Sequence, residues 1–414
     1  MDNPRNVDGA KLMSYPLWYS HAHRVLMQSA LENNARVAFR IEFLQPVWAD
    51  PWNWVNPSIR EDVVKSLNVD QANVVEGQVS IESTQTAPTR QLDLSFVDAK
   101  NEYDLGYYGK RWLSPEKMVK IWYRTHVPGY PSNGGWMECP IFSGHLATVE
   151  KTRDIVTLSA LSKDARYLEP CMWSPTLGSN KQLWKGLRVT DAIRYILGTH
   201  GEQMYRIPGY GNRLPNDLLI RWNDVPWAVC QKIAQAANMT LYYDGYGDVR
   251  LRRNSSAVNF EIDGDLLVEW PNRKFDFTSV INVVVFLGAS GVRAVARDQS
   301  NPLDQMYIKQ WKVEVMSNSN VKRYDVALSI AKNRLRDRQR TAYSVGATCL
   351  VLPHIEEYDT VRVRDPIKYG MPGYPNGGSV SVFKVGKVTI PLDFKTPMTI
   401  NRDYPFSFKL KRRG

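Results

Sequence analysis

A chain of 414 residues is long enough for two to four domains, each with its own core. With 43% apolar and 23% charged residues it has the composition of a packed globular protein, which excludes a disordered tail or a peptide-scale module. The net charge of +11 is uneven, at −2 over residues 1–165, +5 over 166–258 and +8 over 259–414, so any attraction to acidic partners belongs to the C-terminal half.

Residues 1–34 read as an N-terminal arm with a helix near 20–33. Both signs of charge in residues 1–6, with no apolar run behind them, predict no secretory signal and synthesis in a cytosol. The longest uncharged stretch, residues 277–292, is interrupted by Asn282, Gly288, Ser290 and Gly291 and is too short to span a bilayer.

From Arg36 onward, alternation takes over. Val79 and Ile81 alternate with Ser80 and Glu82, and after Pro88 the run Gln91, Leu92, Asp93, Leu94, Ser95, Phe96 alternates again. Period two marks half-buried antiparallel strands. Further strands are expected at 119–125 and 154–161, with turns across 128–135, so residues 35–165 form a first β-domain, a barrel or a sandwich.

Residues 166–258 switch to helical spacing. Thr190 is placed to cap a helix whose Ile193, Ile196 and Leu197 share one face, and Asp224 ahead of Pro226 marks a second helix carrying Trp227, Cys230, Ile233, Ala234 and Ala237. A hairpin follows, with its turn at 244–247, closing a small α/β module.

Residues 259–414 form a second β-domain. The apolar run 280–287 is suited to burial on both faces, and strands are expected at 361–364 and 380–390. One helix interrupts them at about 324–340, with Tyr324, Leu328, Ala331 and Leu335 as its apolar stripe. Its Lys332, Arg334, Arg336, Arg338 and Arg340 are expected to face water, with phosphate contact as the alternative.

No GxxxxGK[ST], HExxH or GxSxG motif is present. The Gly209-Tyr210-Gly211 loop lacks the third glycine of a dinucleotide site, and Asp244 to Asp248 resembles a calcium loop only until Ser255, which stands where the bidentate acid belongs. The histidines at 21, 23, 126, 145, 200 and 354 are scattered, and Cys139, Cys171, Cys230 and Cys349 are isolated, the spacing of buried thiols rather than of a metal site. No catalytic, cofactor-binding or metal-ligating residue is assigned, and no cofactor. Trp48, Trp52 and Trp54 could stack on sugars or form a protein contact; with Asp50, Glu102 or Asp104 they carry the alternative reading, a protein acting on or binding cell-surface carbohydrate.

The order of parts resembles the baseplate hub or tail-tip hub proteins of long-tailed bacteriophages, often labelled minor tail proteins. The stretches that carry the resemblance are residues 77–98, with Arg90 before an alternating strand; FSGHLATVEKTRDIVTLSALSKDARYLE at 142–169; VTDAIRYIL at 189–197; WNDVPWAVCQKIAQAANMTLYYDGYGDVRL at 222–251; and NVVVFLGAS, YDVALSIAKNRLRDRQRTAYSV and EYDTVRVRDP in the last domain. The resemblance covers roughly residues 35–400, and residues 1–34 and 409–414 lie outside it.

It implies a mainly β fold with two tail-tube-like domains, 35–165 and 259–414, flanking the helix–helix–hairpin module. It further implies a homotrimeric ring of virion structural subunits at the tail tip rather than an enzyme. The implied partners are the distal tail and tail-tube proteins, the tape-measure protein, and tip or fibre proteins, with the genome passing through unread and no membrane span.

Overall fold

The computed structural model describes residues 29, 36–48, 59–69, 74–82, 89–98, 113, 117–130, 133–169, 180–214, 217–221, 223–237, 239–253, 258–262, 266–275, 281–288, 291–298, 309–317, 324–341, 343–364, 380–393 and 396–404. The expected arm, save for helical Ser29, therefore falls outside them. The chain divides into two compact units: residues 1–256 with 349–358 and 388–398, and residues 257–348 with 359–387 and 399–414.

Unit 1 opens with β1 (Val37–Trp48), β2 (Ile59–Val69), β3 (Val74–Glu82), β4 (Arg90–Val97), β5 (Met118–His126), β6 (Trp136–Thr152) and β7 (Ile155–Ser162). They pair antiparallel in the order β3-β4-β7-β6-β5-β1-β2. The alternation expected from the sequence holds in β3 and β4: Val79, Ile81, Leu92, Leu94 and Phe96 are buried, whereas Gln78, Gln91 and Asp93 are exposed. Strand β5 is buried on both faces, Val119 and Ile121 on one side and Met118 and Lys120 on the other. Residues 388–398 return to this unit, where the Leu392 N–H donates to the Gly77 carbonyl at 2.8 Å.

The β5–β6 register slips between Ile121 and Trp122, which pair with Phe142 and Pro140 and leave Ile141 bulged between them. Pro140 has no N–H to offer a ladder, so the irregularity falls at the residue that tolerates it.

The helical module follows, comprising β8 (Lys181–Leu183), α1 (Val189–Gly198), β9 (Tyr205–Arg206), β10 (Leu218–Ile220), α2 (Pro226–Ala236), β11 (Met239–Tyr243) and β12 (Val249–Arg253). Ile193, Ile196 and Leu197 of α1 and Trp227, Cys230 and Ala234 of α2 share one core with Leu241, Tyr243 and Val249. Thr190 is not the cap of α1. Arg188 takes that position without a side-chain bond, and the Thr190 hydroxyl donates to Asp191 at 3.4 Å. The entry to α1 is held instead by the Val189 N–H donating to the Asn212 carbonyl at 2.9 Å, a tertiary bond that replaces a local cap. Helix α2 starts at Pro226 as expected, since a first-turn residue needs no N–H.

Unit 2 contains β13 (Phe260–Ile262), β14 (Leu267–Phe275), β15 (Val283–Leu287), β16 (Arg293–Arg297), β17 (Val313–Ser317), α3 (Tyr324–Thr341), β19 (Thr360–Arg364) and the larger parts of β18 (Tyr343–Cys349), β20 (Val380–Pro391) and β21 (Met398–Tyr404), whose residues 349, 388–391 and 398 belong to unit 1. One sheet runs β14-β18-β21-β20, with β19 antiparallel to β20 and parallel to β13. A second runs β16-β15-β17 and is covered by α3, whose Ala327, Ala331 and Leu335 pack on Val284, Phe286, Ala294 and Ala296.

Two expectations are corrected here. The run 280–287 is buried on both faces at Val283 and Val284 but not throughout; toward its end α3 covers one side of a three-stranded sheet and Leu287 on the other remains exposed. The stripe of α3 starts at Ala327, one turn after the exposed Tyr324. The fold as a whole is mainly β with a small helical part, as the sequence pattern predicts.

Candidate functional site

A cluster of buried charge lies inside unit 1, where the β11–β12 hairpin meets β4 to β7. Its first centre is Arg90, the residue that opens β4 and is 1% exposed. The guanidinium donates to the Ile141 carbonyl at 2.9 Å, to the Tyr243 carbonyl at 3.1 Å and to the Glu356 carboxylate. The β6 bulge leaves Ile141 outside the ladder, and Arg90 satisfies the carbonyl that the bulge frees. One rigid fork thus ties three chain segments together.

Beside it, Asp164 accepts the Thr89 N–H at 2.8 Å and the hydroxyls of Thr89 and Ser162. Burial raises the Asp164 pKa and these hydrogen bonds oppose the rise.

The second centre is Lys163, which ends the β7 strand pair. Its ammonium lies 3.0 Å from Glu61 and 3.2 Å from Glu202, and donates to the Gly247 carbonyl at 3.1 Å. Burial works against the charged lysine, but Glu202 and Glu61 together hold its pKa above the ordinary value. Glu202 is saturated in turn, accepting the Met204 N–H and the Tyr243 hydroxyl, each at 2.8 Å.

The hairpin turn at Asp244 to Asp248 completes the junction. Asp244 accepts the N–H groups of Tyr246 and Asp248 at 3.0 Å, fixing the turn from within, and pairs with Arg250 at 2.8 Å. Asp248 pairs with Arg206 at 2.7 Å, yet burial and neighbouring Asp244 push its pKa up to about 6. Tyr246 carries the Lys120 ammonium 3.9 Å above its ring and meets Trp122 edge-on at 5.6 Å.

Gly245 approaches β6 so closely that a Cβ would collide with the Pro140 carbonyl, and one at Gly247 (φ 88°) would lie 2.8 Å from the Ser143 hydroxyl. The turn that resembled a calcium loop is therefore a docking element, its acids committed to arginines.

Chemically the arrangement fixes neighbouring segments to one another. The cations and carboxylates answer one another; the Cys230 thiol is pushed far up by burial. His145 is lowered to about 3 by burial and by Arg166 and Lys163, and stays neutral. Cys139, Cys230 and Cys349 are buried and free of disulfides. Among the described residues no cluster of three His, Cys, Asp or Glu is placed to hold a metal, and no helix is long and apolar enough to cross a membrane. Trp52, Trp54, Asp50, Glu102, Asp104, His21, His23 and Cys171 lie outside the described residues, as does the Trp48 side chain.

The sequence reading singled out Arg90 and the 244–248 turn, which the fold brings together, but missed Lys163, Glu61 and Glu202. Their signal was a lysine and an aspartate directly after an alternating strand, where a surface turn would need neither buried.

In unit 2 the helix arginines expected to face water are partly engaged. Arg334 and Arg338 both bond Glu314 of β17, at 2.7 and 2.8 Å, and the Arg338 bond, followed by that of Arg334, lowers the Glu314 pKa against its burial.

Among solved structures, the chain is similar to the 43 kDa tail protein of prophage MuSo2 from Shewanella oneidensis, at 11% identity, with 88% of this chain and 98% of that one covered and a TM-score of 0.57. A tail protein from Neisseria meningitidis MC58 matches at 12% identity, 88% and 96% coverage and a TM-score of 0.56. The chain has the fold of these phage tail proteins. A PdpA–VgrG complex matches at 9% identity and a TM-score of 0.50, over 90% of this chain and 67% of that one. No protein-family model matches the sequence, and no curated protein does either.

Proposed function

We propose that the chain is a non-enzymatic structural subunit of a phage tail tip, made in the host cytoplasm, of which three copies close into a hub ring. The observation that carries this reading is the end-to-end correspondence with tail proteins, which takes in the helical module and both β regions rather than one shared domain. In this reading residues 35–165 and 259–414 are the tube-like domains, 166–258 the insertion and 1–34 an arm.

Two tube-like domains in each of three chains supply the six segments that a six-fold tube requires. The ring would seat on the tail-tube and distal tail proteins, hold tip or fibre proteins below, and enclose the channel for the tape-measure protein and the genome. The buried junction supports such a role, since a subunit under load during assembly needs its module held in one orientation. Arg90 and Lys163 do this with bonds in three directions each.

Native mass spectrometry with negative-stain imaging of the purified chain tests the proposal. A three-copy ring is expected. A chain that stays monomeric at all concentrations and turns over host cell-wall glycan would replace the hub with the carbohydrate reading.

A further inference from the structure

The side of the β16-β15-β17 sheet turned away from α3 is buried at Val283 and apolar and open beyond it. Strand pairing sets Val285 between Val295 and Val315, and Leu287 between Arg293 and Ser317. Val295 and Val315 are 46% and 61% exposed, and Trp311, on the same side two residues before Val313, is 50% exposed with Arg297 lying 4.4 Å above its ring. An exposed tryptophan stacked with an arginine has the composition of a binding hot spot, and the valines beside it supply apolar surface around it. The one carboxylate on β17, Glu314, points to the other side and is held by α3.

Charge decides what can cover this face. A second copy presenting the same surface would bring Arg293 and Arg297 against their own counterparts, so the partner surface must carry carboxylates. The chain itself has such a surface in unit 1, on the outer side of β3-β4-β7-β6. Register places Glu76, Ser95, Thr157 and Glu150 in one row and Gln78, Asp93, Ser159 and Thr148 in the next. Those two rows hold three carboxylates and no lysine or arginine, with the 41% exposed Ile155 at their border.

We propose that the open β16-β15-β17 face of one copy docks on the β3-β4-β7-β6 outer face of a neighbouring copy, arginines to carboxylates and valines to threonine methyls and Ile155. This rests on the ring reading above and names its contact. Five residues on three strands offer only about 240 Å², well below the roughly 800 Å² per partner of a stable pair. The contact therefore orients copies already gathered in a closed ring, as a heterologous interface does, and does not hold two copies alone.

Self-association of the full chain, measured by light scattering and native mass spectrometry, tests this. Arg293→Glu with Arg297→Glu sets acid against acid, and Asp93→Lys with Glu150→Lys sets base against base; each pair is expected to weaken association by on the order of tenfold. A chain carrying all four changes restores opposite charge and is expected to recover, which also excludes misfolding as the cause of the loss. Val315→Asp, one exposed change that removes apolar surface and sets acid against acid, is expected to weaken association on its own.

Should the wild type form trimers while the reversed chains and Val315→Asp associate equally well, or should the four-fold variant stay as weak as either pair, the docking proposal fails and the hub reading stands. A wild-type chain that never associates ends both.

Discussion

The junction in unit 1 and the open sheet in unit 2 use the same residue types to opposite ends. In the first, Arg90, Lys163, Asp244 and Asp248 are almost wholly buried and each is answered by a partner within the same unit. In the second, Arg293 and Arg297 sit on an exposed face beside uncovered valines. Buried ion pairs contribute little net stability, because desolvation offsets their attraction, but they penalise any other arrangement heavily. Charges at a surface carry the converse property, since they keep most of their hydration and act on the choice of partner. The contrast teaches that internal charge here holds one module in place, whereas under the docking proposal the external charge would choose a neighbour.

The largest expected effect is at Lys163. Lys163→Met leaves Glu61 and Glu202 buried without their cation, and removing one member of such a network costs about 3–5 kcal/mol. Denaturant unfolding is expected to show that loss, with hydrogen exchange rising first in β11 and β12. A loss below about 1 kcal/mol would mean that the junction behaves like a surface pair.

Asp248 gives the comparison a pH dependence. Its folded pKa of about 6 lies above the ordinary carboxylate value of 3.8, so the folded state holds the proton more tightly between those values. The resulting stability is fully present below the unfolded pKa and is lost as pH rises through about 6, with a span of roughly 3 kcal/mol at 1.36 kcal/mol per unit. Relative to Asp248→Asn, the wild type should gain stability as pH falls from 7 to 4. Melting curves of the two chains that run parallel across that window would show that Asp248 stays ionised.

Gly245→Ala is expected to cost about 1–3 kcal/mol, the range for overpacking, because the added methyl meets the Pro140 backbone and not a side chain that could turn aside. Gly209→Ala, with nothing within 4 Å, provides the control in the same module and should melt like the wild type.

What could be read in advance follows from how local each signal is. Alternation in β3 and β4 and the helical stripe of α2 are written in adjacent residues, and they emerged at the expected places. The start of α1 was misread because its N–H is satisfied by Asn212, more than twenty residues away. The same reason hid the junction: Lys163 meets Glu61 and Glu202 across strands, and no spacing rule links those positions. Arg90 was noticed through family resemblance, but its partner Ile141 becomes available only through a bulge that the sequence marks with nothing more than Pro140.

The smallest effect separates the two regions most directly. Arg334 and Arg338 were expected to face water and instead bond Glu314, yet their side chains are 38% and 41% exposed, so solvent screens these pairs as it does not screen those of the buried Lys163. Arg334→Gln with Arg338→Gln should therefore cost less than about 1 kcal/mol, with the loss shrinking further in high salt. The pH sign is opposite to that of Asp248. The Glu314 pKa is lowered, so its contribution is present above the ordinary carboxylate value and disappears as pH falls through the folded one. Relative to Glu314→Gln, the wild type should lose its advantage toward acid, where relative to Asp248→Asn it gains. Two variants of one chain with melting differences of opposite slope over the same pH window would confirm that one carboxylate is confined by burial and the other sustained by surface arginines; slopes of the same sign would mean that both carboxylates share one kind of environment.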